Sequence, residues 1–319
     1  MLTDELTERR LRELESQIAE MYRRSSKELG DKAAAYFKKF EKRDAEMRDK
    51  LDAGTITKDE YKQWRMTQIG RGKRWEALQS ELSRRAVHAD QIAADYINGV
   101  TPNLYAENYN YQAFTIEQAA TRMTVNGFAS DVSFTIMNED AVKRLMTGKN
   151  HIRFRTVRIN PKRDYAWNAK RIQNELTAGI IQGESMGEIA NRFFSVMGSN
   201  RKAAIRNART AVTSAQNGGR MDAMRRAMEQ GYPAKKKWVA TMDEHTRLSH
   251  ILLGGETVDA DKPFSNGLMH PGDPDGDPSE VYNCRCTMVD EDDRFRTAQD
   301  AELDAMYQAW KAGKLDEIR

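Results

Sequence analysis

Leu11, Leu14, Ile18, Met21, Ser25 and Leu29 recur at spacings of three and four in a segment that is otherwise charged. A single apolar stripe of that period confines the start of the chain to amphipathic helix. Gly30-Asp31 is the expected break, after which Tyr36, Phe37, Phe40, Met47 and Leu51 carry a second helix. Asp52-Ala53-Gly54 reads as its stop. Thr57-Lys58-Asp59-Glu60 then forms a capping box, the Thr57 hydroxyl taking an orphan N–H while Glu60 reaches back. A third helix is expected from there to about Asn98, with Tyr61, Trp64, Trp75, Leu78, Leu82, Ile92 and Tyr96 on its buried side. Gly70 and Gly72 should kink it, and Thr101-Pro102-Asn103 should stop it. The stripe lasts under three heptads, which favours an antiparallel hairpin inside one domain over partner helices.

Further along, the tyrosine- and asparagine-rich stretch 105–111 reads as loop. Capping boxes at Thr115–Gln118 and Ser185–Glu188 and an Asn138-Glu139-Asp140 start predict further helices, the Asn138 one stopped by Gly148. Residues 151–159 partly alternate, as a strand or extended arm would. Helices are expected over 164–182 and 185–197, the latter closed by Gly198. A long helix comes after these, from about Ser199 to Glu229, interrupted at most by Gly218-Gly219 and ended by Gly231-Tyr232-Pro233. Trp238-Val239-Ala240-Thr241 is strand-like and the region to Met288 is rich in loop residues. Ala298 to about Lys311 reads as an exposed helix with Leu303, Met306, Tyr307 and Trp310 on one side. The fold class is therefore mainly α: long amphipathic helices in the N-terminal two thirds and a small loop-rich α+β C-terminal domain. The linear partition is a helical N-terminal region (1–105), a mainly helical middle region (106–233), an α+β module (234–293) and a C-terminal helix (294–319).

Charge narrows the range of partners. With 51 basic against 48 acidic residues, a net +3 gives no global field for nucleic acid. Locally, Lys149, Arg153, Arg155, Arg158, Lys162, Arg163, Lys170 and Arg171 are opposed only by Asp164. Arg153, Arg155, Arg158, Lys162 and Arg163 are the candidates for contact with DNA phosphates, against the alternative of a solvated face. A mean hydropathy of −0.79, no basic-then-apolar leader and no long uncharged apolar run lead us to expect a soluble intracellular chain without a membrane segment.

Both cysteines lie in Asn283-Cys284-Arg285-Cys286, downstream of three of the five histidines. Two cysteines make no disulfide framework. Two thiolates with one or two imidazoles are a ligand set Zn²⁺ favours, drawn from Cys284, Cys286 and His250 with His270 or Asp243. The same spacing puts both side chains on one face of a strand, which equally suits two small buried hydrophobes. Both readings stand. Asp273-Pro274-Asp275-Gly276-Asp277 lacks the glutamate of a calcium loop, carries two prolines around its aspartates and reads as a solvated turn. His245 reads as a surface histidine, and Asp243 with Arg247, four apart, as an exposed helical pair.

Taken in order, Ala208-Arg209-Thr210, Asn217, Lys237-Trp238, Asp243, Thr246-Arg247, His250, Gly254-Gly255, Pro263-Phe264, Pro271-Gly272-Asp273-Pro274 and Asn283-Cys284-Arg285-Cys286 closely resemble the phage Mu F-like minor head protein family, also called phage head morphogenesis proteins. The resemblance covers about residues 170–290 and makes 234–293 the Mu F-like module, with Trp238, Asp243, Arg247 and Asn283 as its structural motif. It implies a structural, non-enzymatic virion protein of a tailed bacteriophage, present in few copies. Such a protein docks on the portal at one vertex inside the capsid, assists head morphogenesis or genome ejection, and is assembled in the host cytoplasm. Portal protein is the implied partner, with major capsid or scaffold protein and packaged DNA as further ones. The family's Leu-Asp-Gly is Leu252-Leu253-Gly254-Gly255 here, which removes the acid a cation would use. Some relatives carry a toxin domain after the module; the roughly 30 residues beyond Cys286 are too few for one. The domain has been likened to an ADP-ribosyltransferase scaffold, which is fold analogy only. An enzyme on the C-terminal module and a DNA-contacting packaging or ejection factor are the alternative functions.

Overall fold

The computed structural model describes residues 2–125, 132–147, 152–291 and 300–314. Along the chain run α1 (Leu2–Lys38), α2 (Glu41–Asp52), α3 (Lys58–Gln68), α4 (Lys73–Val125), α5 (Glu139–Thr147), α6 (Pro161–Gln182) and α7 (Met186–Glu229). The small elements come last: β1 (Lys235–Val239), α8 (Leu248–Leu252), β2 (Thr257–Asp259), α9 (Pro278–Val281), β3 (Thr287–Asp290) and α10 (Asp300–Lys311). This is the expected class, helical first and α+β at the end. The chain forms two compact units, one of Glu15–Tyr96 with Arg158–Ile205, the other of Met1–Leu14, Ile97–Val157 and Arg206–Arg319. No helix among the described residues is long and apolar enough to cross a membrane.

The first unit is held by apolar packing. Ile18, Tyr22, Leu29, Phe37, Leu82, Ile172, Leu176, Ile189 and Phe193 are buried, with Phe37 stacked on Phe193 at 5.9 Å. The expected break at Gly30 does not occur, and α1 runs on to Lys38 with Tyr36 and Phe37 in it. A Cβ at Gly30 would lie 2.1 Å from Phe194 Cζ, so the glycine makes room for a ring and does not end the helix. The expected capping box of Thr57 and Glu60 forms, as does that of Ser185 and Glu188. Gly72, at φ 86°, separates α3 from α4 outright where a kink was expected. Gly198 does not close a helix: Val196, Met197 and Ala204 keep the buried face going, and α7 passes through. Polar groups are also buried inside this packing, among them Tyr22, which donates to Asp90, and Asn200, which donates to Asp90 and Asn168. Arg65 is fully buried and grips Asp44 in a bidentate pair at 2.7 and 2.8 Å, with the Tyr61 hydroxyl on the same carboxylate.

In the second unit the latter half of α4 is buried on nearly every side. It continues through Pro102 and through 105–111, both expected to be non-helical. Burial of Leu104, Tyr105, Ala106, Phe114 and Ile116 outweighs a helix-interior proline penalty of about 3 kcal/mol. The asparagines and tyrosines that look loop-like instead find specific partners: Asn110 bonds both backbone groups of Met137, and Tyr105 bonds Asp222. Thr115 opens no helix; its hydroxyl bonds the Gln112 carbonyl in mid-helix. Residues 152–160 are extended but outside any sheet, Val157 pairing with the Asn98 side chain through both its N–H and its carbonyl. α5 starts at Asn138 as expected, while Gly148, Lys149, His151 and Ala298 lie outside the described residues. α10 is packed rather than exposed: Tyr307 meets Tyr111 and Phe114, and the Trp310 N–H bonds Glu117.

The sheet is small, with order β2-β1-β3 and both pairings antiparallel. Trp238 lies opposite Met288, and both are fully buried. Gly231 at φ 88° ends α7 and turns the chain into β1.

Candidate functional site

One face of α7 carries Thr210, Thr213, Asn217 and Arg220, spaced three, four and three apart and all buried. Helical spacing lines them up. Each bonds the backbone of the Cys-x-Cys segment or its continuation into β3. The Thr210 hydroxyl accepts from Asn283 N at 2.9 Å, the Thr213 hydroxyl donates to the Cys284 carbonyl at 2.7 Å, and Arg220 donates to the Met288 carbonyl at 2.9 Å. Asn217 does two things at once, donating to the Cys286 carbonyl at 3.3 Å and accepting from Met288 N at 2.9 Å. A carbonyl at one residue and an N–H two further on are the groups that one residue of a parallel neighbouring strand would engage. The Asn217 carboxamide thus stands in for a strand on the open edge of β3. Arg220 extends the clamp to Asn108, Thr3 and Asp4.

Asn283 has to adopt φ 60°, the one positive value outside glycine among the described residues. Asparagine tolerates that conformation better than most side chains. Upstream, the Pro271-Gly272 turn rests on the helix backbone itself, where a Cβ on Gly272 would be 2.8 Å from Ser214 N. Asp273 ties the turn by accepting from Met269 N and Asp275 N. It is a turn, as its composition predicts, with Asp275 and Asp277 exposed but Asp273 buried where a solvated side chain was expected.

Beneath β1 the apolar cluster of Trp238, Leu253, Phe264, Leu268 and Val281 also holds both cysteines. His250, on α8, is 1% exposed and lies edge-on to the Trp238 ring at 5.2 Å. Its Nδ1 is 3.6 Å from Cys284 Sγ and 3.6 Å from Cys286 Sγ, and its Nε2 is 2.9 Å from Glu280 Oε2 on α9. The cysteines share one proton balance. The hydrogen bond to Cys286, with burial second, pushes the Cys284 thiol up, while the same bond and the imidazole favour loss of the Cys286 proton.

The other candidates fall elsewhere. His270 is buried in the turn before Gly272, bonded to the Pro271 carbonyl, its pKa lowered by burial, and is not brought to the sulfurs. Asp243 is bound by Arg285 through two contacts at 2.6 and 2.7 Å and also accepts from Thr246 and His245 N. The Arg285 bond, first among these, holds its carboxyl well below the usual range. Arg247 therefore makes no helical pair with it. It caps α8 from an extended conformation and donates to the Tyr282 carbonyl. His245 is exposed beside Glu244. Of the basic candidates, Arg153 pairs with Asp275, and Arg155 donates to the Gly276 carbonyl and lies over the Tyr282 ring. In the other unit Arg158, Lys162 and Arg163 line one open recess, Arg163 pairing with Asp164. Lys236 is the middle one of three consecutive lysines. It is fully buried with its Nζ on the Ala260 and Met269 carbonyls, and burial lowers its pKa to about 8. Sequence reasoning also misses Thr213 and Arg220 of the clamp, although polar residues at helical period on an otherwise apolar helix are its available signal.

Comparison with known proteins finds a family and two relatives. Residues 170–289 match the family described as Phage Mu protein F like protein. An NAD(+)–arginine ADP-ribosyltransferase EFV of Enterococcus faecalis (strain ATCC 700802 / V583) is 32% identical over 161 residues, 50% of this chain but 33% of that protein. The minor head protein GP7 of Bacillus phage SPP1 is 25% identical over 231 residues, 68% of each chain. The chain thus spans a third of the first relative and about two thirds of the second. No solved structure matches it significantly.

Proposed function

With residues 170–289 belonging to the Phage Mu protein F like family, we propose that the chain is a minor structural protein of a tailed-phage head, docked at the portal vertex inside the capsid and acting in head morphogenesis or genome ejection. The observation that carries this reading is the breadth of the second likeness. It takes in 68% of a minor head protein and 68% of this chain, a longer stretch than the family match over residues 170–289. Portal protein is the proposed partner, with capsid or scaffold protein and packaged DNA as further contacts. On α8, Leu248 and Leu252 are one turn apart and 70% and 76% exposed, an apolar pair available to such a partner.

Purified virions should contain the chain in few copies, and portal oligomers should co-purify with it. A Leu248→Glu, Leu252→Glu double variant should keep its fold by circular dichroism and lose portal binding. Absence from virions together with no portal binding by the wild type would refute the proposal.

A second reading, transfer of ADP-ribose, is favoured by the name of the enterococcal relative. That match leaves two thirds of the relative outside the shared segment. Labelled NAD⁺ with an arginine-containing acceptor decides it. No incorporation is the expected outcome, and stoichiometric transfer would establish the enzyme.

A further inference from the structure

We infer that His250, Cys284 and Cys286 bind one Zn²⁺ ion, with His250 Nδ1 and the two Sγ atoms as protein ligands and a water in the fourth position. The geometry is the first reason. Zinc–sulfur bonds of about 2.3 Å and zinc–nitrogen bonds of about 2.0–2.1 Å at tetrahedral angles separate an N and an S ligand by roughly 3.5 Å. Nδ1 stands 3.6 Å from each of the two sulfurs, and all three ligand atoms lie within 4.8 Å of one another. Two equal distances from a single ring nitrogen are what a shared metal demands. An imidazole N–H aimed at one thiol has no reason to be equidistant from both.

The setting is the second reason. A metal-bound imidazole ordinarily gives its other N–H to a carboxylate, which fixes the tautomer and raises the basicity of the ligating nitrogen. His250 Nε2 lies 2.9 Å from Glu280 Oε2, which leaves Nδ1 as the free lone pair facing the sulfurs. Glu280 is thus a positioning residue. Among the described residues no fourth His, Cys, Asp or Glu joins the group, and Asp243 is held by Arg285. Soft thiolates with one imidazole select zinc over magnesium or calcium. Binding displaces both thiol protons, and the two thiolate charges offset those of the ion.

The clamp of α7 on the 283–288 backbone holds the two cysteines in place before any ion arrives. The ion would then tie α8, a helix of five residues (Leu248–Leu252), to the lead-in of β3 across 34 and 36 residues of chain.

The test is metal analysis of the full chain purified without a histidine tag or chelator. The expected result is about one zinc per chain, with X-ray absorption giving two sulfur ligands and two N/O ligands. Replacement by Co²⁺ should give a thiolate charge-transfer band and tetrahedral d–d absorption. Glu280→Gln should keep the fold and bind zinc about 10–100-fold more weakly. Wild type without stoichiometric metal, with no cobalt–thiolate band and both thiols free to react after unfolding, would overturn the inference. Unchanged zinc affinity in Glu280→Gln would overturn the positioning role of the carboxylate. Because the wild-type measurements decide the site, a Cys284→Ser variant that fails to fold leaves the test intact.

Discussion

The unit built on Glu15–Tyr96 and the module around β3 are held by different chemistry. In the first, rows of apolar residues on long helices bury one another, and the buried polar groups, such as the Tyr22–Asp90–Asn200–Asn168 chain and the Arg65–Asp44 pair, join side chain to side chain between helices. In the second, the strands are three to five residues long and pair on few hydrogen bonds. Side chains from α7 supply what the sheet lacks, by taking up the carbonyls and N–H groups that β3 would otherwise leave open. An apolar stripe tolerates exchange among residues of similar size. A carboxamide that completes a strand edge does not, because a buried partner left unbonded costs about 1–3 kcal/mol. The module should therefore be the more sequence-specific part of the molecule.

The sharpest way to break that contrast is Arg220→Leu. It removes the guanidinium beside Asp4 and the donors that Arg220 gives the Asn108 side-chain oxygen and the Met288 carbonyl, and should cost about 3–5 kcal/mol in urea unfolding. A loss below about 1 kcal/mol, the size of an ordinary surface change, would mean that the clamp is incidental.

Lys236 gives a pH test of the same region. Its folded pKa is lowered to about 8 by burial, against an ordinary 10.5, so the unfolded chain holds more protons between those values. Stability should therefore rise with pH from about 8 to 10.5, the cost of burying the charge being fully present below that window. Relative to Lys236→Met, the wild type should gain up to about 3 kcal/mol across it. A flat difference would contradict the buried cation.

Next in size, Thr213→Val preserves shape and removes the bond to the Cys284 carbonyl, for an expected loss of about 1–3 kcal/mol. Glycines on α7 provide the smallest and most pointed pair. Gly198→Ala meets nothing within 4 Å and should stabilise by about 0.5–1 kcal/mol. Gly219→Ala puts a Cβ 2.4 Å from the Tyr105 carbonyl oxygen and should destabilise, as thermal melts would record.

These regions also differ in how far the sequence discloses them. Local rules work where the structure is local: the boxes at Thr57 and Ser185, the Asn138 cap and the end of α7 at Gly231 are all readable. They fail where packing overrides them. Gly30, Gly198 and Pro102 look like breakers, yet each lies inside a helix, because a ring fills the space at the first and continuous burial outweighs local preference at the others. The order of motif residues is visible in the module, but not their pairing. Thr210 and Asn283 are 73 residues apart, and the choice of His250 over His270 as the histidine beside the sulfurs is made by α8 and by the Gly272 turn. Tyr105, Asn108 and Asn110 mislead for a related reason. Polar side chains on a buried helix share the composition of a loop.

Amide hydrogen exchange at Met288 tests the central claim most directly, since its N–H points away from β1 to the Asn217 side chain. We expect that amide to exchange as slowly as the β1–β3 ladder in the wild type. In Asn217→Leu it should exchange at least tenfold faster, while amides around Ile180 in the other unit are unchanged. Exchange of Met288 at the rate of an exposed loop in the wild type, or no change in the variant, would contradict the account.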